Sequence, residues 1–312
     1  MGSQMRKTTS LLLVLFPFAG SGALELSLDA DSNVVGTTQV ISAKYEDTFV
    51  KLARRHNLGF EELKHANPDV DPWLPGEGTR IVLPTQFVLP DAPRRGVVIN
   101  LPELRLYYFP ADDTGRVITH PVSIGRMEWG TPLGRSQIVA KAEKPTWYPP
   151  ESIRQEHAAE GRPLPRVVPP GPDNPLGDYA MRLSVPGYLI HGTNKPSGLG
   201  MRVTHGCIRM FPEDIEGLFE TVPIGTPVHI VNQPYKLAWG ENGFFVEAHP
   251  PLKEEGVDDA WAMTQLTQAF IAATPEGQGA NFDWELAELA AERSRGVPEF
   301  VSLVSVADRT PD

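Results

Sequence analysis

The sequence predicts a mainly β sandwich or barrel over residues 96–232, with a small βααβ unit before it and an α+β extension after it. Two observations support this prediction. The 312-residue chain contains 31 prolines and 28 glycines, which divide the apolar runs into short segments typical of strands and turns. Hydrophobic residues make up 41% of the chain, too large a share for a disordered protein. A chain of this length can hold two or three small domains.

Charge and cysteine content exclude several classes of function. The formal net charge is −11, whereas nucleic-acid binding depends on a basic surface. The single cysteine excludes an intramolecular disulfide framework and any multi-cysteine metal site. The eight histidines are scattered, without HExxH or CxxC spacing, so no metal or organic cofactor is expected. Beyond the N-terminal segment, no stretch approaches the about 20 apolar residues of a membrane span.

Residues 1–23 have the layout of a secretory signal peptide. Arg6 and Lys7 give a positive start, and residues 11–18 form an apolar stretch too short to cross a bilayer. Small residues stand at the −3 and −1 positions of a cleavage site after Ala23. The alternative is a buried N-terminal strand or helix. We expect an exported protein that is cleaved after about Ala23.

Residues 39–84 predict a compact βααβ unit, in which Asp47 can cap the first helix. The predicted elements are a strand over Gln39–Tyr45, a helix that includes Phe49 and Leu52, a helix over about Phe60–Ala66 and a strand over Thr79–Leu83. The run YEDTFVKLARRHNLGFEELKHANPDVDPWLPGEGTRIVLP resembles a LysM module, a domain that binds glycans containing N-acetylglucosamine. The alternative is a packing unit without a ligand. Residues 85–95, which include Pro90 and Pro93, are expected to be a linker.

Residues 96–232 alternate short apolar runs with turn residues, which favours a sandwich or barrel. The predicted strands are Val97–Asn100, Arg105–Phe109, Arg116–Ser123, Gln137–Glu143, Tyr179–Leu183, Tyr188–His191 and Pro227–Asn232. A Pro-rich segment, residues 145–172, has room only for a short helix at about Ser152–Ala159. Since long ordered loops are often lids, we expect this segment to cover a site. Pro212 opens another short helix.

The tail, residues 233–312, predicts an α+β extension. The Asn242-Gly243 pair is a hairpin signal before a strand at Phe244–Ala248. Two helical patterns follow, at about 257–273 and 283–295, with Asp283 as a cap and Gly296 as an end signal. Trp261 and Trp284 are expected to pack in its core.

The chemistry concentrates around the single thiol. Cys207 follows His205-Gly206 and precedes Ile208-Arg209, and nearby positive charge lowers the pKa of a thiol. The alternative is a buried cysteine that acts as a small hydrophobe. A thiol redox sensor would need a resolving cysteine, which the sequence lacks.

A nucleophilic thiol needs a base. His191, at the end of a predicted strand, is the preferred candidate, and His205 is the rival because it lies two residues from Cys207. A backbone carbonyl can orient the base. The N–H groups of Gly206 and Cys207 are candidate oxyanion donors. Arg209 suits a substrate carboxylate, with a structural ion pair as the alternative.

These residues resemble a known catalytic signature. The pattern consists of Ile190, His191, Gly192, Thr193, Asn194, Gly200, Thr204, His205, Gly206, Cys207, Ile208, Arg209 and Met210. It is similar to that of the L,D-transpeptidases, which crosslink bacterial peptidoglycan, and the resemblance covers about residues 96–232. It implies a mostly β catalytic domain with Cys207 as nucleophile and His191 as base. It further implies that the Gly192 carbonyl orients His191, and that His205 and Arg209, with Thr204 and Tyr188, contact substrate.

The resemblance also implies a reaction and a place. Cys207 would attack a tetrapeptide stem of peptidoglycan, release D-Ala and pass the acyl group to an amine. Four acceptors stay open: the side-chain amine of another stem, a lysine of an outer-membrane lipoprotein, a free D-amino acid, and water. The family further implies acylation by carbapenems and a periplasmic location. The alternative from a different class is a non-catalytic peptidoglycan-binding protein.

Overall fold

The computed structural model describes residues 22–29, 32–240, 243–252, 256, 258–274 and 281–303. The strands are β1 Leu24–Ser27, β2 Val34–Gly36, β3 Gln39–Ser42, β4 Arg80–Leu83, β5 Gln86–Val88, β6 Gly96–Asn100, β7 Arg105–Phe109, β8 Arg116–Pro121, β9 Ile124–Gly125, β10 Gly134–Glu143, β11 Tyr179–Leu183, β12 Leu189–His191, β13 Arg202–Thr204, β14 Ile208–Arg209, β15 Pro227–Val231, β16 Tyr235–Gly240, β17 Gly243–Ala248 and β18 Glu299–Phe300. The helices are α1 Phe49–Arg55, α2 Phe60–Ala66, α3 Glu151–Ala159, α4 Pro212–Thr221, α5 Asp259–Ala273 and α6 Trp284–Arg293, with a 3₁₀ turn at Pro196–Gly198.

A nine-stranded sheet forms the centre of the molecule, in the order β1-β8-β7-β6-β15-β10-β11-β12-β14. Two neighbouring pairs are parallel, β6 with β15 and β12 with β14. Each strand predicted between residues 96 and 232 is found, with ends that differ by at most three residues. The prediction of a mainly β domain is therefore confirmed.

The core of this sheet fixes the position of its last strands. Ile190 of β12 and Ile208 of β14 are 0% and 1% exposed, and both lie in the main apolar cluster. Ile215 and Leu218 of α4 pack into the same cluster. Because successive strand residues point to opposite faces, the neighbours of the two isoleucines face away from this cluster.

The N-terminal unit has the βααβ order that the sequence predicts. β3 pairs antiparallel with β4, and α1 and α2 contribute Phe49, Leu52 and Leu63 to a separate apolar core. The predicted cap is wrong by one residue. Thr48 caps α1 by accepting the Lys51 N–H, whereas the carboxylate of Asp47 accepts the Lys44 N–H.

The predicted linker at residues 85–95 is only partly a connection. Its first part forms β5, which pairs with β2, and the Phe87 ring packs edge-on against Tyr107 at 6.2 Å. Burial of the apolar run after Thr85 against the sheet outweighs the turn signals of the prolines. Residues 1–21 of the predicted signal peptide lie outside the described residues, and β1 begins directly after Ala23.

The C-terminal extension combines a three-stranded sheet, β16-β17-β18, with α5 and α6. Phe244, Phe270 and Phe282 form its centre, and Trp284 packs on Phe270 at 5.1 Å. Asp283 caps α6, as predicted, by accepting the Leu286 N–H. The helix ends earlier than predicted, because Ser294 at φ 46° takes the left-handed position before Gly296. In the described parts of the chain, no helix is long and apolar enough to cross a membrane.

Candidate active site

Strands β12 and β14 bring the sequence motif together. His191 is in register with Arg209, and Ile190 is in register with Ile208. Since the two isoleucines face the core, His191 and Arg209 face the opposite side of the sheet. Cys207 immediately precedes β14 and lies two residues before Arg209, so the same alternation directs it to the face of His191. The alternation of apolar residues with candidate catalytic and binding residues along these strands therefore assembles the site.

His191 has the geometry of an oriented, neutral base. The residue is 7% exposed, and its Nδ1 lies 2.6 Å from the carbonyl oxygen of Gly192, the contact that the resemblance predicts. Burial, assisted by the charge of Arg209, lowers the pKa of His191 to about 4. With the Nδ1 proton donated to that carbonyl, Nε2 keeps its lone pair and can accept a proton near neutral pH.

Cys207 is a thiol rather than a preformed thiolate. Burial raises the pKa of Cys207 above its ordinary value, and a backbone hydrogen bond from Leu189 only partly opposes this. Its Sγ lies 3.8 Å from the Gly187 carbonyl oxygen. The prediction that the neighbouring His205 and Arg209 lower this pKa is wrong, because desolvation of the buried thiol dominates.

His205, the rival base, is engaged elsewhere. Its Nε2 lies 2.9 Å from Glu156 Oε2 and 3.1 Å from Arg126 Nη2. The Trp129 ring stands edge-on to it at 5.2 Å. The Arg126 guanidinium and, secondarily, His205 hold the pKa of Glu156 below its ordinary value. His205 therefore anchors helix α3 of the Pro-rich segment beside the cysteine loop.

Local sequence patterns do not predict this anchor. Glu156 lies 49 residues from His205 and Arg126 lies 79 residues away. Neither residue stands in the recognised motif, and charged residues of this kind are usually solvated. Only the fold of the Pro-rich segment, whose two ends pair through Trp147 and Val168 at 2.9 Å, brings α3 to this position.

Arg209 is poised for a ligand. Its Nη2 donates to the Gly198 carbonyl oxygen at 3.4 Å, while its buried Nε has no hydrogen-bond partner within the described ranges. Burial also lowers the pKa of Arg209. Among the described residues no carboxylate pairs with it, so the structural ion pair considered above is absent there. A substrate carboxylate would complete its hydrogen bonding.

The turn before Cys207 corrects two predicted roles. The Gly206 N–H donates to Thr204 Oγ1 at 3.2 Å, and that hydroxyl donates to the Cys207 carbonyl oxygen at 2.6 Å. The Gly206 N–H therefore does not face an oxyanion, and the buried Thr204 hydroxyl is used within the turn rather than on substrate. In the described part of the chain the Cys207 N–H donates no hydrogen bond of this kind, so it remains a candidate oxyanion donor.

Gly206 is required for packing and backbone shape. Its φ is +99°, and a Cβ there would lie 2.8 Å from the Tyr188 ring. Tyr188 thus lies over the turn that carries Cys207, and its hydroxyl donates to the Gly130 carbonyl oxygen at 3.4 Å. Tyr188 lines the site, although it precedes β12 rather than belonging to it.

Away from this site, the described residues include a cluster of metal-ligating residue types. Glu103, Glu247 and His249 are buried close together, but the ammonium of Lys236 lies 2.9 Å from each of the two carboxylates. The lysine supplies the positive charge that a metal ion would supply. This cluster joins the extension to the central sheet as an internal ion-pair network.

Comparisons with known proteins agree with this geometry. A family model described as YkuD, the L,D-transpeptidase catalytic domain, matches residues 94–230. The chain is 42% identical to the probable L,D-transpeptidase YcfS of Escherichia coli K12, over 79% of this chain and 81% of the relative. It is 37% identical to the probable L,D-transpeptidase YbiS of the same strain, over 94% and 98% of the two chains. It is also 37% identical to the probable L,D-transpeptidase ErfK/SrfK of Salmonella typhimurium LT2, over 87% and 88%. The chain therefore belongs to the L,D-transpeptidase family.

Proposed function

We propose that this protein is an exported, cysteine-dependent peptidoglycan L,D-transpeptidase. The observation that carries the proposal is the His191–Gly192 contact on the face of β12 that the alternation assigns also to Cys207 and to the unpaired Arg209. An inactive binding protein would have no need for a buried histidine oriented in this way.

The chemistry begins from a neutral pair. The Cys207 thiol passes its proton to His191 Nε2 as sulfur attacks the carbonyl between the L-centre of the diamino acid and the terminal D-Ala. The Cys207 N–H stabilises the oxyanion. His191 then returns the proton to the leaving D-Ala amine, which leaves a thioester on Cys207. Arg209 binds a carboxylate of the donor stem and so aligns the carbonyl with sulfur.

The second half of the reaction transfers the acyl group. An acceptor amine attacks the thioester carbonyl, and His191 takes the proton of that amine. The new amide bond forms as the C–S bond breaks, and His191 passes the proton to the departing sulfur, which restores the Cys207 thiol. A stem side-chain amine would form a 3→3 crosslink, a lipoprotein lysine would tether that protein, a free D-amino acid would exchange the terminus, and water would give carboxypeptidase activity. We expect the Pro-rich segment, which contacts His205 through Glu156, to select among these acceptors.

The other regions support action at the cell wall. Residues 39–84 act as a LysM-like glycan-binding unit, and Tyr45 and Trp73 are exposed on it at 86% and 59%. Such exposed aromatic rings suit stacking against sugar rings. Residues 1–23 direct export, and the periplasm is the place of action. A carbapenem would acylate Cys207 by the same attack on a carbonyl.

The test uses the exported form of the chain, beginning at Leu24, and purified sacculi. Mass spectrometry of the released muropeptides is expected to detect D-Ala loss and new 3→3 products, and addition of a lipoprotein tests the tethering reaction. Cys207→Ser should abolish both D-Ala release and transfer while leaving sacculus binding unchanged. Transfer by Cys207→Ser at the wild-type rate would refute the proposed nucleophile.

A further inference from the structure

The N-terminal unit contacts the loop that leads from His191 to Cys207. The first turn of α2 donates two backbone hydrogen bonds to this loop, from Phe60 N–H to the Leu199 oxygen at 3.1 Å and from Glu61 N–H to the Gly200 oxygen at 3.3 Å. Met201 of the same loop packs against the apolar core of the unit. The unit therefore fixes the backbone of residues 199–201. The interaction between α2 and these residues is here called the catalytic loop contact.

Two glycines make this contact unusually close. A Cβ on Gly59 would lie 2.9 Å from the Cα of Gly200, and a Cβ on Gly200 would lie 2.2 Å from the Cα of Gly59. Distances below 3 Å are not tolerated between such atoms, so either substitution forces the two backbones apart. Gly200 also has φ +79°, a conformation that glycine adopts readily.

A buried ion pair holds the unit in register with the sheet. Glu62 of α2 accepts two hydrogen bonds from Arg105 of β7, at 2.7 and 3.0 Å. Both side chains are at most 6% exposed. Arg105 also donates to the Asn57 carbonyl oxygen at 3.2 Å. Burial makes such a pair specific in position, since any shift would leave a charge without a partner.

Hydrogen bonds connect the catalytic loop contact to Arg209. Ser123 Oγ accepts the Gly200 N–H at 3.1 Å, and the backbone of Ser123 exchanges hydrogen bonds with Arg209 at 2.8 and 2.9 Å. The Arg209 guanidinium itself donates to the Gly198 oxygen. Both the main chain and the side chain of Arg209 are thus held by residues that border the contact.

We propose that the N-terminal unit is a structural part of the donor-binding site, with Gly59 and Glu62 as positioning residues. They hold the loop at residues 198–201, and this loop sets the guanidinium of Arg209. The inference rests on the proposed role of Arg209 as the carboxylate-binding residue. The unit then serves the acyl-donor step in addition to any attachment to glycan.

Gly59→Ala tests this inference from the side of the unit. The backbone at Gly59 has φ −85° and ψ 156°, which alanine adopts without strain, so the added methyl acts as a wedge against Gly200. We expect the KM for a soluble tetrapeptide donor to rise about 10-fold, less than the about 100-fold that a misplacement of about 1 Å can cost, with kcat within about twofold. Alkylation of Cys207 by iodoacetamide should keep its wild-type rate, because this neutral probe does not need Arg209.

Two further variants make the test decisive. Ile81→Val lowers the stability of the unit within its own core and should leave KM unchanged. Met201→Ala removes the side-chain part of the contact without a wedge and should raise KM in the same direction, even where Gly59→Ala folds poorly. A wild-type KM in both contact variants would overturn the inference. Failure of the proposed function has a different signature, transfer that survives Cys207→Ser.

Discussion

The ion pairs Arg105–Glu62 and Arg126–Glu156 both support the surroundings of Cys207, and they differ in their exposure to water. Arg105–Glu62 joins the N-terminal unit to the sheet, with side chains 0% and 6% exposed. Arg126–Glu156 joins α3 to the cysteine loop through His205, with side chains 36% and 27% exposed. A buried pair is costly to break on one side only, whereas an exposed pair is weak and screened by salt. The N-terminal unit should therefore be a fixed side of the site, whereas α3 should be a releasable side that can separate from the cysteine loop.

The largest effect is expected when the buried contact is broken. Glu62→Gln leaves the Arg105 guanidinium buried without its counter-charge, which typically lowers the free energy of unfolding by about 3–5 kcal/mol. Urea titration of the purified variant measures this loss. Glu61→Gln is the matched control, because the carboxylate of the neighbouring Glu61 is partly exposed and, among the described residues, forms its ion pairs with Lys64 and His65 of the same helix. Equal free energies of unfolding in the two variants would show that the buried ion pair contributes no more to stability than the pairs of Glu61.

Burial of His191 predicts that the free energy of unfolding depends on pH. The folded protein holds the neutral ring, since burial lowers the pKa of His191 to about 4, whereas the unfolded chain binds the proton near pH 6.5. The unfolded state therefore binds more protons between pH 4 and 6.5. The free energy of unfolding should rise by about 3 kcal/mol across this window and then become independent of His191.

The measurement for His191 is a difference between two stability curves. Urea titrations of wild type and His191→Asn at several values of pH should diverge steadily from pH 4 to 6.5. All other titrating groups are common to both proteins and cancel. Parallel curves across this window would mean that the folded site admits the imidazolium, and the neutral-pair mechanism would then fail.

The sequence predicts the site where the information is local. Alternation at Ile190-His191 and Ile208-Arg209 places His191 and Arg209 on one face of the sheet, because successive side chains of a strand point to opposite faces. The turn at Thr204–Cys207 is equally local, but residue type does not specify its hydrogen bonds between hydroxyl and backbone. The sequence therefore predicts roles for Thr204 and Gly206 that the geometry does not support. The predicted direction of the Cys207 pKa shift is wrong because burial depends on the tertiary fold.

Contacts between distant segments were beyond sequence reasoning. Glu62 and Arg105 are separated by 43 positions, and nothing in their neighbourhoods distinguishes them from solvated charges. The same holds for Glu156 and His205. An ion pair is identified only by the fold that brings its members together, whereas a strand or a cap is indicated by its immediate sequence. The fold class was therefore more accessible than the contacts that support the site.

The smallest effect is expected at the exposed contact, and it should appear in access rather than in stability. Glu156→Gln removes the charge that faces Arg126 and His205, so α3 should separate more often from the cysteine loop while the thermal midpoint stays close to wild type. Iodoacetamide should then react with Cys207 several-fold faster. High salt should accelerate wild type toward the variant, because screening weakens the same contact. Glu151→Gln is the matched control, since Glu151 pairs with Arg154 within the same helix. An identical, salt-independent alkylation rate in all three proteins would mean that α3 does not open, and the distinction between a fixed and a releasable side would be lost.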